Sequence, residues 1–215
     1  KTYLLYQIIK EILEDKKEKE SILYLNFEDT RLMGVSFKEI REIIKLHWRL
    51  YPKSTKHKLA LFFDEPQKVQ LWETAVRSLH DEGFNIFLSG SSSKLLSKEI
   101  ATSLRGRTLS YLLLPFSFKE FLKIKNFPLN ISKLTSEEKS ILLSLFNEYL
   151  DLGGFPEIIL EEDKENKLKT LKEYLDLIVY KDLIERYNIK NTKIIQWLIK
   201  SLITAFSKEF SINKI

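Results

Sequence analysis

Leu59-Ala60-Leu61-Phe62-Phe63-Asp64-Glu65 is an apolar run closed by two adjacent carboxylates. An unbroken apolar run of this length fits a strand buried on both faces of a parallel sheet, where neither face meets water. Open α/β sheets bind ligands just outside the carboxyl ends of their strands. Two acids at that end therefore stand at a cleft. The same residues also suit a strand that merely ends in a polar turn, so the flanking sequence has to decide.

Working outward, the chain opens Lys1-Thr2 and runs into Leu4, Leu5, Ile8, Ile9, Ile12 and Leu13. That spacing lines one face of a helix. A phosphate-binding loop reads Gly-x-x-x-x-Gly-Lys-Ser/Thr and opens a helix. Lys1 and Thr2 match its last two residues, with the glycines and their strand expected upstream. In such a site the Lys reaches the β- and γ-phosphates of ATP and the Thr hydroxyl ligates Mg²⁺. Asp64-Glu65, one βα unit later, then reads as the Walker B pair. Its first acid holds Mg²⁺ and its second orients or deprotonates the attacking water.

The remaining pattern alternates. Ser21 to Glu28 reads as a strand. Ser36-Phe-Lys-Glu39 is a capping box that starts a helix ending before Pro52. Leu71 to Leu79 reads as a helix, Phe84 to Leu88 as a strand closed by Ser89-Gly90-Ser91-Ser92-Ser93, and Thr108 to Leu114 as a fourth strand stopped by Pro115. Alternation of this kind means crossovers and a parallel sheet. Beyond Pro115 only helical patterns follow, at about Phe118 to Ile124, Glu137 to Leu152, Pro156 to Glu162, Glu165 to Lys181 and Thr192 to Ser207, with capping boxes at Ser117 and Thr135. The expected fold is α/β: a parallel-sheet P-loop NTPase core at 1–125 with its first strand missing, then an α-helical domain at 126–215. The second domain is expected to end at the start of a winged helix.

Composition narrows the classes. Hydrophobic residues make up 44% and charged residues 30%, a globular rather than a disordered balance. No apolar run approaches the ~20 residues of a membrane span, so no membrane role and a cytoplasmic location are expected. Zero Cys excludes disulfides, thiolate metal sites and Cys nucleophiles. His47, His57 and His80 lack metal-ligand spacing, and no Gly-x-Ser-x-Gly elbow supports a serine hydrolase. The net charge of +5 is spread among mixed Lys and Glu, as on solvated helix faces. Tyr174, Tyr180, Tyr187 and Trp197 fit a helical core better than a base-stacking platform.

Asp64-Glu65-Pro66-Gln67, Leu88-Ser-Gly-Ser-Ser92, Ser103-Leu-Arg-Gly-Arg107 and Leu114-Pro-Phe-Ser-Phe-Lys-Glu-Phe-Leu122 occur in that order. With Asn26-Phe-Glu-Asp29, Arg31 and Gly153-Gly154-Phe155-Pro156 they resemble archaeal and bacterial AAA-type ATPases that carry a helical C-terminal domain of unknown function. That family usually has an aliphatic residue where this chain has Pro66. The resemblance implies Mg²⁺-dependent ATP hydrolysis. Asp64 would hold Mg²⁺ through water, Glu65 would be the general base, and Ser89, with Ser91 as the alternative, would sense the γ-phosphate. Arg105 or Arg107 would act as an arginine finger, in cis or across a homo-oligomer. Each assignment has a structural counterpart: the serines also make a turn and helix cap, and the arginines also suit a pair with Glu28 or Asp29. Gln67 suits either water positioning or a helix N-terminus.

Two other functions use the same residues. One is a nucleotide-binding switch with little hydrolysis. The other is an ATP-regulated protein that contacts DNA through a downstream winged helix.

Overall fold

The computed structural model describes residues 1–16, 18–54, 58–90, 108–128, 130, 133–185 and 187–205. Two compact units divide the chain, Lys1–Leu113 and Leu114–Ile215.

In the first unit, α1 (Thr2–Lys16) precedes β1 (Ile22–Asn26), α2 (Phe37–Leu50), β2 (Ala60–Asp64), α3 (Trp72–Asp81) and β3 (Asn85–Ser89). The three strands form a parallel sheet in the order β1-β2-β3. The central strand carries the apolar run, and every residue from Leu59 to Phe63 is buried. Fully burying each Leu or Phe there contributes about 1.5–3 kcal/mol, so this run anchors the sheet. Alternation then sorts the side chains. Leu61 and Phe63 join Leu25, Ile40, Ile44, Trp72, Val76 and Leu79 in the core under α2 and α3. Ala60 and Phe62 join Leu5, Ile8, Ile9, Ile12, Tyr24 and Phe87 under α1. Both faces are therefore covered, as a parallel sheet requires. The capping box at Ser36 forms, with Glu39 Oε2 accepting from the Ser36 backbone N–H at 2.7 Å.

The fourth expected strand does not form. Residues 108–114 carry no ladder hydrogen bonds, and Leu109 and Tyr111 are 85% and 83% exposed. A strand exists only when a neighbour takes its hydrogen bonds. Here a groove of about 770 Å³ lies between residues 108–113 and β3. Among the described residues, β3 pairs with β2 alone, so its other edge faces the groove. Local apolar content alone does not supply the partner that a strand needs.

The second unit is helical: α4 (Phe118–Ile124), α5 (Ser136–Leu152), α6 (Pro156–Leu160), α7 (Lys164–Leu177) and α8 (Thr192–Thr204). Phe121, Leu122 and Ile159 are its buried centre, with Phe118, Leu142, Leu145 and Tyr149 packed around them. The capping boxes at Ser117 and Thr135 both close, with Glu120 and Glu138 accepting the cap N–H groups at 2.8 and 2.7 Å. The expected α-helix to Lys181 instead gives way to a π-helix at Ile178–Glu185. Apolar spacing alone does not distinguish these two windings. Among the described residues no helix is long and apolar enough to cross a membrane.

Candidate functional site

Register brings the strand ends level. Asn26, Asp64 and Ser89 are successive Cα partners across the sheet. Side chains two apart share a face, so Asp64 points to the same side as Phe62, the side that α1 covers. At 1% exposed, Asp64 is a deeply buried acid. Burying a carboxylate is costly unless it is hydrogen-bonded, and three hydroxyls supply the bonds. Thr2 Oγ1 donates to Oδ2 at 2.6 Å, bridging 62 residues of chain. The Tyr24 hydroxyl donates to the same oxygen at 3.1 Å. Ser89 Oγ donates to Oδ1.

Glu65 leaves the sheet sharply. Its backbone N–H still extends the ladder to Ser89 O at 2.8 Å, yet its φ of 54° and ψ of 44° are left-handed. For a residue with a Cβ that conformation costs about 1–2 kcal/mol, and strain of this kind gathers at functional sites. Pro66, buried, then opens the 3₁₀ turn Pro66–Lys68, where its fixed φ suits a first helical position. The Gln67 side-chain amide donates to Glu65 Oε2. Gln67 thus engages the second acid directly, beyond a helix-terminal role.

The other expected residues divide. Lys1 lines the groove that also reaches Ser89 and Gly90. Ser91, Arg105 and Arg107 lie outside the described residues. Asp29 is engaged locally: Arg31 donates to it through Nε at 3.0 Å and Nη2 at 2.6 Å. Those hydrogen bonds hold the Asp29 carboxyl down to about 2. Glu28 lies 3.8 Å from Lys68.

Tyr24 is the site residue that sequence reading missed. In a run such as Ile22-Leu-Tyr-Leu25 an aromatic reads as core. Only the register, which sets Tyr24 opposite Phe62, carries its hydroxyl to Asp64. Burial, with Tyr6 and the Asp64 charge behind it, pushes the Tyr24 phenol well above its usual range. It therefore stays a donor.

The donor set around Asp64 is all oxygen, which suits a hard cation such as Mg²⁺. Among the described residues no group of three or more His, Cys, Asp or Glu could cage a metal. A cation here would share its shell with water and with the phosphates of a ligand, as Mg²⁺ commonly does. A hydroxyl that donates to Asp64 keeps its lone pairs, so Thr2 can serve both groups.

Residues 1–122 match the AAA domain family. The chain belongs to that family. Its AAA domain carries the nucleotide-binding, ATPase-like character of the group, and residues 143–215 match a domain of unknown function. An uncharacterized protein of Methanocaldococcus jannaschii is 52% identical over all of this chain and 46% of its own length. An uncharacterized protein of Haemophilus influenzae is 33% identical over 93% of this chain and 47% of its own. A second M. jannaschii protein is 26% identical over 86% and 41%. The chain thus spans about half the length of the curated relatives it matches. No solved structure matches it.

Proposed function

We propose that this chain is the catalytic part of a Mg²⁺-dependent ATPase. The observation that carries the reading is the Thr2–Asp64 hydrogen bond at 2.6 Å, with Ser89 on the other carboxylate oxygen. A hydroxyl at a helix start, a buried acid and a polar strand end converge from three elements distant in sequence. Lys1 and Thr2 would hold the phosphates and the metal, and Asp64 would fix the metal's water shell. Mg²⁺, when bound, neutralises charge on the transferred phosphoryl group. Glu65 would take the proton of the attacking water, and Ser89 would report on the γ-phosphate. The strand leading into a glycine loop would lie along β3, in the groove whose mouth holds Lys1.

The test is calorimetric, on the full-length protein. Asp64→Ala is expected to weaken ATP binding about tenfold or more in excess Mg²⁺ and to leave binding in EDTA unchanged. Equal Mg·ATP affinity in the variant overturns the reading.

Arg105 or Arg107 would complete the site, in cis or from a neighbouring subunit, since a guanidinium fork matches γ-phosphate charge; mixing two variants separates the arrangements. Arg107→Ala and Glu65→Gln are each expected to hydrolyse ATP at least about a hundredfold more slowly than wild type when assayed alone. In the trans arrangement mixing them should restore activity, because one subunit supplies the arginine and the other the base. No recovery, with a rate per molecule independent of protein concentration, excludes the trans arrangement.

A further inference from the structure

Two of the three hydroxyls on Asp64 are accounted for by the ATPase reading. Tyr24 is not. It lies within β1, two residues before the strand end, and donates to Oδ2 from the side away from Ser89. Its ring packs on Tyr6 of α1 with centroids 5.5 Å apart, and the two hydroxyls lie 3.4 Å apart. Tyr6 in turn meets Tyr3, one helical turn back, at 6.0 Å. The aromatic ladder therefore ties the helix that begins at Thr2 to the strand beside Asp64.

A carboxylate offers about four lone-pair positions. Three are occupied by Thr2, Tyr24 and Ser89, and together they set the plane of the group. Thr2 and Ser89 sit where a nucleotide would bind, so their bonds must adjust to it. Tyr24 approaches from the sheet and is held by its own ring packing. It is the donor that the ATPase reading does not place against the ligand.

We propose that Tyr24 is a positioning residue that fixes the Asp64 carboxylate for metal-dependent nucleotide binding, an inference that rests on the ATPase reading. Partners of this kind, one bond removed from a metal's shell, tune its affinity by about 10–100-fold. A tyrosine that only filled the core would influence stability and nothing else.

Tyr24→Phe separates the two roles, because it keeps the ring and its packing and removes only the hydroxyl. The dissociation constant for ATP is measured by calorimetry on the full-length protein, once in excess Mg²⁺ and once in EDTA. Tyr24→Phe is expected to weaken binding in Mg²⁺ about tenfold and to leave the EDTA value within about twofold of wild type. The Mg²⁺ concentration for half-maximal hydrolysis should rise in parallel. A lowered melting temperature with an unchanged ratio of the two constants overturns the proposal and leaves the ATPase reading standing. Wild-type protein that binds no ATP in either buffer removes both.

Discussion

Glu65→Gln is expected to leave ATP bound and to slow its hydrolysis by about two to four orders of magnitude, the usual contribution of a general base. Glutamine has the shape of glutamate and cannot accept the water's proton. The groups that would hold the nucleotide and metal, Lys1, Thr2 and Asp64, are untouched. Phosphoryl transfer depends mainly on positioning and electrostatics, so losing one positioned base should appear in kcat and not in the dissociation constant. The local backbone favours this split. Glu65 turns off the strand in a left-handed conformation while its N–H still pairs with Ser89 O. That pairing involves the backbone alone and is indifferent to the side chain. Both constants should be measured in one preparation of the full-length protein. Hydrolysis at the wild-type rate would show that Glu65 is not the base.

The acids were legible because they interrupt a pattern. Five apolar residues followed by Asp64-Glu65 state both where the strand ends and that something charged stands there. Ser89 was legible for the same reason, as the polar close of Phe84 to Leu88. Thr2 was legible only as the end of a loop motif, and nothing in the sequence measures its distance from Asp64. That distance is a product of register: Asn26, Asp64 and Ser89 end level, and α1 lies over the face they share. Tyr24 was illegible because aromatic residues in strands are ordinarily core, and its distinguishing feature is one hydroxyl contact made across strands.

Residues 108–114 mark the opposite limit. Their apolar content matches that of β1, yet they are mostly exposed and form no strand. Strand propensity records how a residue fits a pleated, half-buried surface, and the surface must be supplied by a neighbour. Among the described residues no neighbouring strand takes the segment's ladder hydrogen bonds, so it is not a strand. In the helical unit the capping boxes at Ser117 and Thr135 fixed two helix starts almost to the residue, because a cap is a local hydrogen-bond pattern. The π-helix at Ile178–Glu185 left no such mark.

Gly154→Ala is expected to destabilise the helical unit by about 3 kcal/mol, in the range of overpacked sites, and to lower its melting temperature by ~10 °C or more. The Gly153-Gly154 pair needs glycine twice, for different reasons. Gly153 follows α5 with φ of 73° and ψ of −164°, a region open essentially to glycine alone. Gly154 has no positive φ; it lacks space instead. A Cβ there would collide with the carbonyl oxygen of Phe116 and lie 3.1 Å from its N and C atoms. These obstacles are backbone, which cannot swing aside as a side chain does. The Phe116 N–H donates to Gly154 O at 2.7 Å, and Phe116 O accepts from the Tyr149 hydroxyl at 2.8 Å. Relieving the clash therefore breaks a hydrogen bond and strains a second, beside the buried centre at Phe121, Leu122 and Ile159. Gly34→Ala is the matched control. Its φ of 79° is also positive, but nothing lies within 4 Å of an added Cβ, so the cost should stay near the ~1–2 kcal/mol of a left-handed residue. Thermal unfolding followed by circular dichroism reads both variants. If Gly154→Ala melts with or above Gly34→Ala, the close approach of Phe116 to Gly154 does not hold this unit together.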